Sequence, residues 1–223
     1  MHFLKSPKAV VVLGAVVLAA LVVLAGREAY LRRTARILPS NTVELAPERR
    51  KELSEQVAAS QAVIRTNPQD FNAHVELALA HTELGNLEGA AEVYRTMNQR
   101  FPGNFLSYQN LGQLYEQTGK YAMAAEQYLI AIQNAPRNPH EYRFLVNLYT
   151  YKMRERAFDI PRILQQGLAV NPGSIDLMGM LAVHYRDQGN REEAIKWYEL
   201  LLVHDQSNTT ALEELKQLKA QLP

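Results

Sequence analysis

Two blocks of helical periodicity, separated by a three-residue break, run from Phe105 to Pro136. In the first block Tyr108, Leu111, Gly112 and Tyr115 fall at i, i+3, i+4 and i+7, which is one face of an α-helix. In the second, Ala124, Tyr128, Ala131 and Ile132 fall at i, i+4, i+7 and i+8, again one helix face. Thr118-Gly119-Lys120 separates the blocks, and Pro136 stops the second, because proline has no N–H to donate and its ring clashes with the preceding turn. The small residues Gly112, Ala124 and Ala131 allow close backbone approach, with tyrosines filling the space beside them. The pattern predicts an antiparallel helix pair. One such pair cannot bury its own apolar face, so the pattern calls for copies of itself.

The copies are present. Pro68, Pro102 and Pro136 recur every 34 residues, each after one helical pattern and before the next. Here the chain resembles the tetratricopeptide repeat (TPR) family. Repeat 105–138 carries Tyr108, Leu111, Gly112, Tyr115, Gly119, Ala124, Tyr128, Ala131 and Pro136 at the motif positions. Repeat 71–104 carries Leu77, Ala78, Gly85, Ala90, Tyr94 and Pro102, with His74 and His81 at aromatic places. Repeat 175–208 carries Leu181, Ala182, Tyr185, Gly189, Ala194 and Tyr198, and ends on Gln206-Ser207-Asn208 instead of proline. The resemblance implies an all-α, right-handed superhelix of about four helix pairs plus flanking helices. It also implies that the first helix of each pair lines a concave groove.

Repeat 139–174 departs from the pattern. Tyr142, Leu145 and Tyr149 begin it, but Pro172 comes 36 residues after Pro136, the turn at 152–156 has no glycine, and Pro161 follows early. Proline is tolerated in a first turn, so the second helix is expected to start near Asp159, with Asp159 as its N-cap. The two extra residues read as a tolerated loop insertion. The alternative is a local change of superhelix pitch that shapes a binding surface. Before the repeats, Pro47 and Glu48 open a packing helix over 47–66, with Leu53, Val57 and Ile64 on one side. After them, 209–221 reads as a capping helix with Leu212, Leu215 and Leu218 toward the last repeat. The repeat region thus spans 47–223 and holds ten helices.

A different pattern occupies the start of the chain. After a tail at 1–8, residues 9–26 contain no charge and show no polar face, unlike a helix at the surface of a soluble domain. Eighteen residues at about 1.5 Å each give roughly 27 Å, close to the hydrocarbon thickness of a bilayer. This predicts one transmembrane helix in contact with lipid. A cleaved signal peptide is the competing reading, which the length of the run disfavours. A basic juxtamembrane segment and linker, 27–46, follows. Arg27, Arg32, Arg33 and Arg36 outnumber Lys5 and Lys8, so the positive-inside count puts the repeats in the cytoplasm. A short basic amino-terminal tail favours the opposite, periplasmic, placement.

Charge changes the picture modestly. The net charge of +1 conceals a basic start, with six Lys/Arg and one Glu in the first 36 residues, and an acidic remainder of 18 Lys/Arg and 22 Asp/Glu. An acidic domain repels a phosphate backbone, so a nucleic-acid partner is not expected. Without cysteine there is no disulfide, thiolate metal site or thiol nucleophile. No phosphate loop, paired-His metalloprotease motif or nucleophile elbow appears, so neither an enzyme nor a cofactor is expected. His74 and His81 share a helix face but occupy aromatic places of the repeat and lack a third ligand, so they read as core residues and not as a metal site.

The candidate chemistry is in the groove. Opposite the core face, at 100° per residue, the first helices present Gln109, Asn110 and Gln113, then Arg143, Phe144, Asn147 and Tyr151, then Met180 and Arg186. Amides offer a donor and an acceptor, which suits the backbone of an extended peptide. Phe144, Tyr151 and Met180 suit its apolar side chains, and Arg143 or Arg186 a carboxylate. Val75 and Leu79 stand where a family subgroup that grips carboxyl termini has Lys and Asn, so the resemblance does not imply that ligand class. The chain thus reads as a membrane-anchored TPR adaptor that binds a protein or peptide partner and assists assembly of a membrane or envelope complex. Two alternatives stand beside this reading. One is a periplasmic accessory factor of cytochrome c maturation; the other is a structural, self-associating solenoid.

Overall fold

The computed structural model describes residues 44–221, which form ten α-helices and one 3₁₀ helix in series. There is no strand among the described residues. The helices are α1 (Pro47–Thr66), α2 (Phe71–Glu83), α3 (Leu87–Arg100), α4 (Phe105–Gln117), α5 (Tyr121–Asn134), α6 (Pro139–Tyr151), α7 (Ile160–Val170), α8 (Ile175–Asp187), α9 (Arg191–His204) and α10 (Thr209–Ala220). The 3₁₀ helix η1 (Arg154–Asp159) lies between α6 and α7. Each helix packs mainly on its neighbours in sequence, as a solenoid requires. The expected anchor at 9–26 and linker up to residue 43 lie outside the described residues. Within 44–221 no helix is long and apolar enough to cross a membrane.

The repeat period is written in the caps. Asp70, Asn104, Asn138, Ser174 and Asn208 precede α2, α4, α6, α8 and α10, and each side chain accepts a hydrogen bond from a backbone N–H in the following first turn. This satisfies donors that a helix start otherwise leaves orphaned, worth about 1 kcal/mol apiece. Inside three of the pairs the turn closes on a glycine with positive φ: Gly85 at 75°, Gly119 at 74° and Gly189 at 72°. The next residue then donates its N–H back over the helix end, Lys120 to the Tyr115 carbonyl at 2.8 Å for example.

Packing follows the close-approach expectation. A Cβ placed on Gly112 would stand 2.5 Å from the Tyr128 ring, so only glycine lets α4 and α5 meet here. Tyr128 is fully buried, and its hydroxyl donates to Glu116 at 2.8 Å. Leu145, Leu148, Leu164, Leu177 and Leu181 continue the core without exposed surface. At the front, α1 buries Leu53, half-buries Val57 and Ile64, and is held by a bidentate Arg49–Glu83 pair at 2.7 and 2.8 Å. At the back, α10 buries Ala211 and Leu218, with Leu215 half-buried against them. Leu212 is 47% exposed, contrary to expectation. The inner stripe runs 211, 215, 218, and a residue one step past Ala211 is rotated 100° away from it.

Candidate peptide groove

The first helices of the four pairs, α2, α4, α6 and α8, turn their core faces toward neighbours and leave a second face open. On α4, Gln109 and Asn110 are half-buried and Gln113 is exposed; on α6, Arg143, Asn147 and Tyr151 are exposed. Met180 is half-buried on α8. These residues thus lie on the less buried faces of alternate helices.

Two candidates are engaged with the protein itself. Phe144 is half-buried and stacks on Tyr128 with ring centroids 5.6 Å apart, so it fills the α5–α6 junction and leaves little surface for a ligand. Arg186 is bound to Asp187 at 2.8 Å and to Glu214 at 2.6 Å. Burial works to lower its pKa, but the hydrogen bonds to those two carboxylates outweigh burial and raise it. Arg186 is thus a tie to α10 and not a cation open to a ligand carboxylate. Arg143 differs. It is exposed, lies 2.7 Å from Nδ1 of His140, and has no carboxylate paired with it among the described residues.

A recess lies beside α6. A cavity of about 940 Å³ is walled by Asn147 and Tyr151 of α6, Arg154 and Phe158 of η1, and Met180 and His184 of α8. The six-residue η1 helix stands where the other pairs have a glycine turn, and it supplies one wall. The connection that holds the two extra residues thus borders the recess. Phe158 is 75% exposed and Tyr151 67% exposed. Isolated exposed apolar residues are ordinary, but two aromatics at the mouth of one cavity form a patch. Sequence reasoning missed Phe158 because it lies in the turn, outside any helical periodicity. The missing glycine was the available signal.

Asp159 anchors that wall. It sits at the N-cap position of α7 as expected, but in αR conformation and without a side-chain capping bond. Its carboxylate instead bridges Arg156 at 2.6 Å and Arg162 at 3.1 Å. Burial works to raise its pKa, and the two guanidiniums more than offset this, leaving it below the usual range. Arg156 also lies over the Tyr149 ring at 5.3 Å. His184, on the opposite wall, is shifted down by burial against the opposing pull of Asp187, which favours neutral imidazole at pH 7.

Glu141, in the first turn of α6, is 1% exposed. One oxygen accepts from Asn138 at 3.0 Å, the other has no partner, and burial pushes its pKa up to about 7. His74 is in the core, with Nε2 3.1 Å from the Pro68 carbonyl and Phe101 edge-on at 6.1 Å. His81 is half-buried, with Asn86 at its Nδ1. Among the described residues no group of His, Asp or Glu is arranged to hold a metal.

Comparison with known proteins gives the same architecture. No curated protein sequence matches the chain. Among solved structures, MamA superposes with a TM-score of 0.54 at 17% identity, covering 78% of this chain and 88% of MamA. YrrB, described as a TPR protein with an unusual peptide-binding site, gives 0.52 at 16% identity, covering 74% and 84%. PilF of Pseudomonas aeruginosa gives 0.52 at 16% identity, covering 78% and 85%. At these identities the likeness concerns the fold. Models of the tetratricopeptide repeat match residues 57–105, 106–138 and 177–211. Together with the helix pairs, glycine turns and caps described above, these matches identify the chain as an all-α solenoid of tetratricopeptide repeats.

Proposed function

We propose that this chain is a non-enzymatic adaptor that holds a partner polypeptide on the open side of its first helices. In this reading residues 9–26 anchor it in a bilayer, and the partner belongs to a membrane or envelope complex whose assembly the adaptor assists. The observation that carries the binding role is the cavity lined by Asn147, Tyr151 and Met180; the amide row Gln109, Asn110 and Gln113 lies on the first helix of the preceding pair. Amides serve both N–H and C=O groups of an extended chain, and an aromatic-lined recess takes a side chain. That YrrB, a protein of like fold, is described with a peptide-binding site supports the reading by analogy. The anchor rests on the uninterrupted apolar run, and the positive-inside count favours repeats in the cytoplasm.

Affinity capture from solubilised membranes tests the groove. Partners retained by the wild type are expected to be lost or depleted with Asn110→Ala/Asn147→Ala, and an unchanged partner set would sink groove binding. Alkaline extraction tests the anchor. The full chain is expected to stay with the membrane fraction, and release into the supernatant would refute it.

A further inference from the structure

The third residue of α2, α4, α6, α8 and α10 is buried in every case: Ala73, Ser107, Glu141, Leu177 and Ala211, none more than 4% exposed. Four of these side chains are neutral, and Glu141 alone is a carboxylate. One of its oxygens accepts from Asn138 at 3.0 Å, and the other, also buried, has no partner. It lies at the seam where α5 of the second pair meets α6 of the third. Tyr128 of α5 faces it, and Phe144, one turn further along α6, stacks on the Tyr128 ring. No cation offsets the charge. On α5, Glu126 is exposed, and Glu116 of α4 is taken up by the Tyr128 hydroxyl. Arg156 of η1 and Arg162, the one charged residue of α7, are bound to Asp159. Arg156 lies over Tyr149, two turns away along α6. Asp176 of α8 and His140 and Arg143 of α6 are exposed. None of these groups pairs with Glu141, and burial alone pushes its pKa up to about 7.

We infer that the seam between α5 and α6 is a pH-operated joint, closed while Glu141 carries its proton and loosened once the proton is lost. A protonated carboxyl sits in the seam as a neutral group, whereas an unpaired carboxylate there lacks both water and a counter-charge. Opening the seam hydrates it, and in a solenoid such an opening can stay local, because each unit packs mainly on its neighbours. The sign follows from linkage. The open seam gives Glu141 its ordinary value of 4.5 and the closed seam about 7, so opening releases a proton and is favoured as pH rises between those values. Beyond about pH 7 both forms are ionised and the effect is level. Acid therefore tightens the joint between the first two pairs and the last two. On the adaptor reading, a partner that touches both Asn110 of α4 and Asn147 of α6 bridges this joint and is held more tightly in acid; the joint itself does not depend on that reading.

Amide hydrogen exchange on the full chain in detergent micelles tests the joint without any partner. Corrected for the intrinsic pH dependence of exchange, protection at the end of α5 and the start of α6 should fall about thirtyfold from pH 5 to pH 7. Amides of α2, α3, α9 and α10 should keep theirs. The fall should vanish in Glu141→Gln and in Glu141→Ala; the second variant installs the residue found at 73 and 211, so a folded protein is available if the amide disturbs packing. A second readout uses the absence of cysteine, which lets spin labels be placed singly. The distance distribution of Gln133→Cys/Ala169→Cys, exposed positions on α5 and α7, should broaden from pH 5 to pH 7. That of Gln99→Cys/Gln133→Cys, on α3 and α5, should not. An equal loss of protection in every helix would make Glu141 a group of global stability and overturn the joint. So would an unchanged pH response in the two Glu141 variants, or label pairs that broaden alike.

Discussion

The second and third repeats are adjacent, share one packing plan and differ in one junction. In 105–138 the pair closes on Gly119 at φ 74°, Lys120 follows, and Tyr128 lies on Gly112. In 139–174 there is no residue with positive φ, and the chain winds through η1 before α7 begins. A glycine turn reverses the chain in minimal length because only glycine adopts the left-handed region without a steric penalty. Lacking it, the third pair takes a longer path, which borders a cavity lined by two exposed aromatics. The second repeat is therefore optimised for stacking, whereas the third departs from stacking where a surface is presented.

Substitutions can break this contrast from either end. The largest effect is expected at the tight junction: Tyr128→Ala should cost about 3–5 kcal/mol in urea denaturation, since a fully buried aromatic that contacts Gly112 and Phe144 is removed. A loss below about 1 kcal/mol would mean the α4–α5 junction is not close-packed.

Next comes Glu141. Its folded pKa of about 7 lies above the ordinary 4.5, so the folded state keeps a proton that the unfolded chain has released. Stability from this group is complete below pH 4.5, is lost as pH rises to about 7, and is level beyond. Between pH 4 and pH 8 the wild type should lose about 3 kcal/mol more than Glu141→Gln. Parallel pH profiles for the two proteins would refute the buried, protonated carboxyl.

Gly112→Ala should cost about 1–2 kcal/mol, the Tyr128 clash exceeding the gain in helix propensity. Gly119→Ala should cost about 1 kcal/mol through backbone strain alone, since open space surrounds its missing Cβ. Thermal melts that reverse this order would show that the turn, and not the helix contact, limits the second repeat. The smallest effect is expected at Phe158→Ala. With 75% of the side chain exposed, it should shift stability by less than about 0.5 kcal/mol while weakening peptide capture. A large fall in melting temperature would make Phe158 a structural residue of η1.

The boundaries of what could be read in advance follow from the range of each interaction. The 34-residue period, the ten helices and the placement of Leu53, Leu111, Tyr128 and Ala131 in the core were legible, because helical periodicity, proline stops and glycine turns act within a few residues. The five helix-capping side chains at one end of each pair were equally local, yet escaped notice because their hydrogen bonds carry no hydrophobic signal. The open faces of α4 and α6 were legible too, as the complement of the core face at 100° per residue.

What the tertiary structure alone decided involves partners far apart in the chain or in irregular backbone. Arg186 is withdrawn from the groove by Glu214, 28 residues away. Phe144 is withdrawn by Tyr128 on the preceding helix. Asp159 turns from cap to bridge because two arginines of its own turn compete for it. The cavity beside η1 depends on how a glycine-free turn lies across α6 and α8, and no periodicity governs that. Short-range steric and hydrogen-bonding rules specify the helices and their order. Which of their side chains remain open to a partner is set by contacts that exist only once the helices have stacked.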